Sequence, residues 1–203
     1  MSRKVAANCA PRRRNSDYYW SLAFPHRGGV STSAKGDIMH SVQKITPCLW
    51  FNGNAEAAAW FYTEIFPNSK IGQILRYGEE GKEIHGQEPG SVLTVAFELD
   101  GQTFTGLNGG PLFQFSEAIS FQVNCETQDE VDHYWNLLSK GGPPEAQQCS
   151  WLKDQFGVSW QIVPTIMVKL LGDPDPVKAQ RVMKAMMGMK KIDIEQIKRA
   201  YAG

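Results

Sequence analysis

The sequence of 203 residues predicts an α+β fold, a β-α-β-β-β unit present twice and followed by C-terminal helices. Two observations carry the duplication. Residues 45–51 and 119–125 are short apolar strand segments, and each leads into an amphipathic helical run, 54–66 in one case and 127–140 in the other. A third observation is that each helix is trailed by further strand-like segments. A duplicated unit of this kind suggests a paired architecture with a cavity inside.

The elements follow in order. In the first helix Asn54 stands at the N-cap position and Glu56 in the electropositive first turn. Ala58, Phe61, Tyr62 and Ile65 recur on one face, and Pro67 ends the run. Residues 71–77 read as a strand, 78–90 as a polar, glycine-punctuated loop, and 92–99 as an alternating strand. Asp100-Gly101 is a tight-hairpin signal, from which 102–107 returns. In the second unit Thr127 and Glu130 form a capping box, and Val131, Tyr134, Trp135 and Leu138 make the apolar stripe. Gly141-Gly142 stops that helix and Pro143-Pro144 forces an extended exit. Residues 147–152 and 158–163 then read as a strand pair. From Asp173 onward the chain turns helical. Asp173-Pro174-Asp175-Pro176 opens a helix, prolines being tolerated in a first turn. Met183, Met186 and Met187 supply an apolar face, and Asp193 with Gln196 gives a capping signal for a last helix striped by Ile194, Ile197 and Tyr201.

Composition excludes several classes. Lysine plus arginine equals aspartate plus glutamate at 21 each, so charge gives no argument for nucleic acid as a partner. No apolar run is long enough to span a membrane. Cys9, Cys48, Cys125 and Cys149 are widely spaced, which favours reduced thiols and a cytoplasmic location over a disulfide framework or zinc site. Residues 1–42 differ from the rest: seven Lys and Arg face only Asp17 and Asp37. They read as a disordered basic extension, or as an upstream addition to a chain that starts at Met39, with a transit peptide or an arginine arm for an anionic surface as open alternatives.

Many separated motifs, in order, resemble the vicinal oxygen chelate superfamily, the glyoxalase and bleomycin-resistance fold. Within it they resemble the PhnB-like group, also known as 3-demethylubiquinone-9 3-methyltransferase. The motifs are Ile45-Thr46-Pro47-Cys48-Leu49-Trp50-Phe51, Phe66-Pro67-Asn68-Ser69, Leu107-Asn108-Gly109-Gly110-Pro111, Ala118-Ile119-Ser120-Phe121 and the run from Trp151 to Pro164. The resemblance implies a domain over 43–170, with modules 43–112 and 113–170 curled into a cupped half-barrel, a helical tail over 171–203, and a homodimer. It also implies a divalent metal at four strand positions. Here these fall near Pro47, on Asn108, near Ala118 or Ser120, and on Gln161, so the pattern departs from a metal centre. Nor is there a glycine-rich cradle for a methyl donor, and no cofactor is expected. What remains is an aromatic cup for a small oxygenated or aromatic molecule, with Trp50, Asn108, Phe113, Trp151 and Gln161 as ligand contacts. Asn108, Lys153 and Gln161 are the catalytic candidates. An enzyme, a ligand-sequestering module of the resistance type, and a methyltransferase are the competing functions.

Overall fold

The computed structural model describes residues 43–203; the expectations for residues 1–42 lie outside them. In the first module β1 (Cys48–Phe51) enters α1 (Ala55–Ile65), and β2 (Lys70–Arg76), β3 (Val92–Leu99) and β4 (Gln102–Asn108) follow. A short helix, α2 (Lys82–His85), interrupts the loop between β2 and β3. The sheet runs β1-β4-β3-β2, with β1 parallel to β4 and the other pairs antiparallel. Along β3, Val95, Phe97 and Leu99 are buried and alternate with half-buried neighbours. They share a core with Ala58, Tyr62 and Ile65 of the predicted α1 stripe, against which its fourth member, Phe61, packs half-buried. Asp100 and Gly101 both take positive φ (47° and 78°), the tight turn read from the sequence.

The second module repeats this order with one strand fewer. Its elements are β5 (Phe121–Cys125), α3 (Gln128–Leu138), β6 (Trp151–Lys153) and β7 (Ser159–Pro164), and the sheet runs β5-β7-β6. That is the order β1-β4-β3, without the counterpart of β2. The place of the missing strand is taken by a 3-10 turn at Pro144–Ala146 and one bridge from Gln148 to Trp151. Pro143 and Pro144 lack the N–H groups that a ladder needs, which is why the strand breaks there.

Three helices follow: α4 (Thr165–Leu171), α5 (Pro176–Met187) and α6 (Ile194–Ala202). The sequence reading did not anticipate α4, since a short apolar run after a strand does not declare its period. Asp175 and Asp193 cap α5 and α6 through their carboxylates. These helices have their own core of Met167, Val182, Ile192 and Ile197, with Met186 and Met189 packed against it. Met183 and Met187 point outward, 45% and 55% exposed, so only Met186 of the expected methionine face is covered. The α5–α6 link is pinned to the second module by backbone bonds. Cys149 N–H donates to the Met189 carbonyl (2.8 Å) and Ser150 N–H to the Lys190 carbonyl (2.9 Å). Lys191 also pairs with Asp132 of α3 (2.6 Å).

The seam between the two modules is aromatic and closes on one carboxylate. Phe66 stacks on Trp160 and on Tyr134, and Tyr62 packs against Phe156 and Trp160. Asp154, 1% exposed, accepts from Tyr62 Oη (2.7 Å), Trp160 Nε1 (2.8 Å), Phe156 N–H (2.8 Å) and Val158 N–H (3.0 Å). Burial pushes its carboxyl above the ordinary value while these four donors pull it down. Burial, and then the charge of Asp154, hold the Tyr62 phenol well above its usual range, so it stays a neutral donor.

Candidate functional site

Side chains alternate along β6 and β7, so each strand offers one set to α3 and the other to the opposite, open face. Leu152, Trp160 and Ile162 join the core with Val131 and Leu138 of α3. The remaining set forms a two-by-two block, because Trp151 is the cross-strand partner of Gln161 and Lys153 that of Ser159. An aromatic platform, an amide, a cation and a hydroxyl therefore stand side by side. Trp151, Lys153 and Gln161 are half-buried. Ser159 is 2% exposed, and its Oγ is the one buried side-chain polar atom among the described residues without a hydrogen-bond partner.

The irregular link from β4 to β5, residues 109–120, touches the first module and then Lys153 and Gln161 of this block. Its Phe113 meets Trp50 edge-on at 4.9 Å, and its Phe115 meets Phe51 at 5.2 Å. Glu117 pairs with Lys153, whose side chain is 22% exposed against 64% for Glu117. Ser120 Oγ accepts from Gln161 Nε2 at 2.8 Å. The hydrogen bond from Lys153 is the main cause that holds the Glu117 carboxyl below its ordinary value. Leu112, Phe113 and Ile119 of this strap are 58%, 55% and 75% exposed.

The sequence candidates thus separate into three places. Trp151, Lys153 and Gln161 share the open face of the second sheet. Trp50 lies on the first sheet, where its Nε1 donates to the Gly110 carbonyl (2.8 Å) and its ring covers Gly109. A Cβ on Gly109 would lie 2.2 Å from that ring. Asn108 faces the other way, toward α1, and is 4% exposed. Its Oδ1 accepts from Ala55 N–H (2.9 Å), its Nδ2 donates to the Val92 carbonyl (3.0 Å), and its carbonyl accepts from Tyr77 Oη (2.6 Å). Asn54, expected as the side-chain cap of α1, makes no such bond; Asn108 supplies it from 53 residues away. Cys125, at the strand end before α3, is fully buried, and burial followed by the charge of Glu130 pushes its thiol up to about 12.

The residues at the superfamily's metal positions do not fit a metal centre. Pro47 has no side-chain donor atom, the Asn108 amide is committed to the backbone, and the Gln161 amide is turned to Ser120. Among the described residues no three His, Cys, Asp or Glu side chains come together to hold an ion. A methyl-donor cradle does not fit either, because the space above Gly109 is filled by the Trp50 ring. A separate open cleft of about 430 Å³ lies at the module seam, lined by Phe66, Phe104, Phe121, Tyr134 and Trp160 with Asp100, Gln102, Gln122 and Asn124 at hand.

Sequence reasoning missed Ser159 and Glu117. The alternation of residues 158–163 is enough to put Ser159 on the face of Gln161. Nothing local marks Glu117, whose pairing depends on the path of the strap.

The family model for 3-demethylubiquinone-9 3-methyltransferase matches residues 43–163. A PhnB protein from Bacillus cereus, named for 3-demethylubiquinone-9 3-methyltransferase, is 36% identical with a TM-score of 0.52, and the match covers 61% of this chain and 100% of that one. A Staphylococcus aureus protein is 31% identical over 59% of this chain and 93% of its own, with a TM-score of 0.27. PA1353 from Pseudomonas aeruginosa is 20% identical over 60% and 97%, with a TM-score of 0.45. No curated protein matches. The chain belongs to the 3-demethylubiquinone-9 3-methyltransferase family, the PhnB-like group of the vicinal oxygen chelate fold.

Proposed function

We propose that this protein binds a small oxygenated or aromatic molecule, without a metal centre, on the open face of its second sheet. The observation that carries this reading is the register block of Trp151, Lys153, Ser159 and Gln161. An aromatic plane beside convergent polar groups is the usual make-up of a small-molecule site. Lys153 and Gln161 are the groups able to stabilise negative charge on a bound oxygen. Binding therefore stands first, as in a ligand-sequestering module, and any catalysis rests on those two side chains. Methyl transfer, the activity in the family description, ranks below it because Trp50 fills the glycine turn. The cleft at the seam supports a second reading, since its volume and aromatic walls also suit a small ligand.

We further propose a homodimer, supported by the exposed Leu112, Phe113 and Ile119 beside the open face. A cytoplasmic location is supported by the free thiols of Cys48, Cys125 and Cys149. No helix among the described residues is long and apolar enough to cross a membrane.

Native mass spectrometry of the full chain tests both proposals. The expected spectrum has twice the chain mass of 22.7 kDa and carries a retained small-molecule adduct. Gln161→Leu should reduce retention about ten-fold, the equivalent of one hydrogen bond in a desolvated site, while the fold persists with a small drop in melting temperature from the lost bond to Ser120. A monomer would remove the dimer. An adduct that Gln161→Leu leaves unchanged would move the site elsewhere, with the seam cleft as the next place to look.

A further inference from the structure

We infer that the block of Trp151, Lys153, Ser159 and Gln161 takes an aromatic carboxylic acid, whose carboxylate replaces that of Glu117 on Lys153 and accepts from Ser159 Oγ. The inference rests on the reading of this face as the binding site and narrows the ligand to one chemical class.

Three observations lead to it. Lys153 is the least exposed lysine among the ion pairs of the described residues, and its partner is a far more exposed glutamate on the irregular strap. A half-buried cation needs an anion, and Glu117 already supplies one in the form of a carboxylate. Next to Lys153 on the same face stands a buried hydroxyl with nothing to donate to. Leaving a buried hydroxyl unpaired is unfavourable, so its presence here fits an acceptor that arrives with a ligand. Finally, Trp151 and Gln161 flank the same spot with an aromatic plane and an amide, which suits a ring bearing a second oxygen. The strap is anchored at its start by Gly109 and Gly110 on the first module and by Phe113 and Phe115, while its later half is held to the second sheet through the groups a ligand would use, Glu117 on Lys153 and Ser120 on Gln161. Glu117 is thus an internal competitor. The same lysine is neutralised whether the strap or the ligand is down, and the charge balance of the face does not change.

Isothermal titration of the full chain with 2-hydroxybenzoate and its neutral isostere 2-hydroxybenzamide tests the inference. Glu117→Gln removes the competing charge from an exposed position and should tighten 2-hydroxybenzoate about three-fold, while leaving 2-hydroxybenzamide unchanged. Ser159→Ala should weaken 2-hydroxybenzoate several-fold with no loss of thermal stability, because the hydroxyl it removes has no partner in the folded chain. Lys153→Met should abolish the preference for the acid. Equal affinity for the two probes, unaltered by Glu117→Gln, would overturn the carboxylate assignment and leave the binding face intact. Binding of neither probe to any variant would overturn both.

Discussion

Asp154→Ala should cost this protein about 4 kcal/mol or more of folding stability, enough to leave much of the chain unfolded at moderate temperature. The carboxylate takes four hydrogen bonds, two of them on each oxygen. Removing it leaves the Tyr62 hydroxyl, the Trp160 indole N–H and two loop amides facing a void among aromatic rings. Each orphaned donor costs about 1–3 kcal/mol, reduced where the loop relaxes or water enters. Tyr62→Phe removes only one of the four and should cost about 1 kcal/mol, and an added Tyr62→Phe change should be nearly neutral in the Asp154→Ala background. Chemical denaturation of the three variants checks this. Equal losses for Tyr62→Phe and Asp154→Ala would mean that the loop amides and Trp160 find other partners. Because Tyr62 belongs to α1 and Asp154 to the β6–β7 turn, the variant should also loosen one module from the other.

Asn108→Ala is expected to act on stability, by about 2–3 kcal/mol, and not on ligand affinity. The amide holds the first turn of α1 at Ala55 and the start of β3 at Val92. Asn108→Asp is the sharper variant. It keeps the acceptor for Ala55 N–H but sets a carboxylate oxygen against the Val92 carbonyl, so it should remain destabilising at neutral pH. Thermal melts combined with titration of 2-hydroxybenzoate separate the two roles. A melting temperature like that of the unchanged chain, with affinity lost, would return Asn108 to the binding site.

Much of the fold was legible because local chemistry and tertiary packing agree. Thr127 and Glu130 form the capping box their spacing announced, and the stripes of α1 and α3 face the core where their periods put them, with Phe61 and Tyr134 half-buried at its edge. The reading failed where a distant residue took over a local task. Asn54 occupies the cap position of α1, yet Asn108 makes the bond, and no window around residue 54 contains that information. The second module lacks a strand because Pro143 and Pro144 withhold donors; locally the pair reads only as an extended exit, and its consequence appears once a neighbouring strand asks for those donors. In the site, alternation alone groups Trp151, Lys153 and Gln161 on one face. Trp50 and Phe113 meet each other on the first module instead, because the strap carries Phe113 there, and the strap has no periodicity to read.

The central claim is that ligands meet the open face of the second sheet and not the aromatic seam. The indole N–H resonances of the full chain decide this, once assigned by single Trp→Phe variants and followed during titration with 2-hydroxybenzoate. Trp151 stands in the proposed block, whereas Trp160 lines the seam with its N–H bound to Asp154. The account predicts a saturable shift of the Trp151 signal with the Trp160 signal unmoved. A shift confined to Trp160, with Trp151 unaffected, would contradict it.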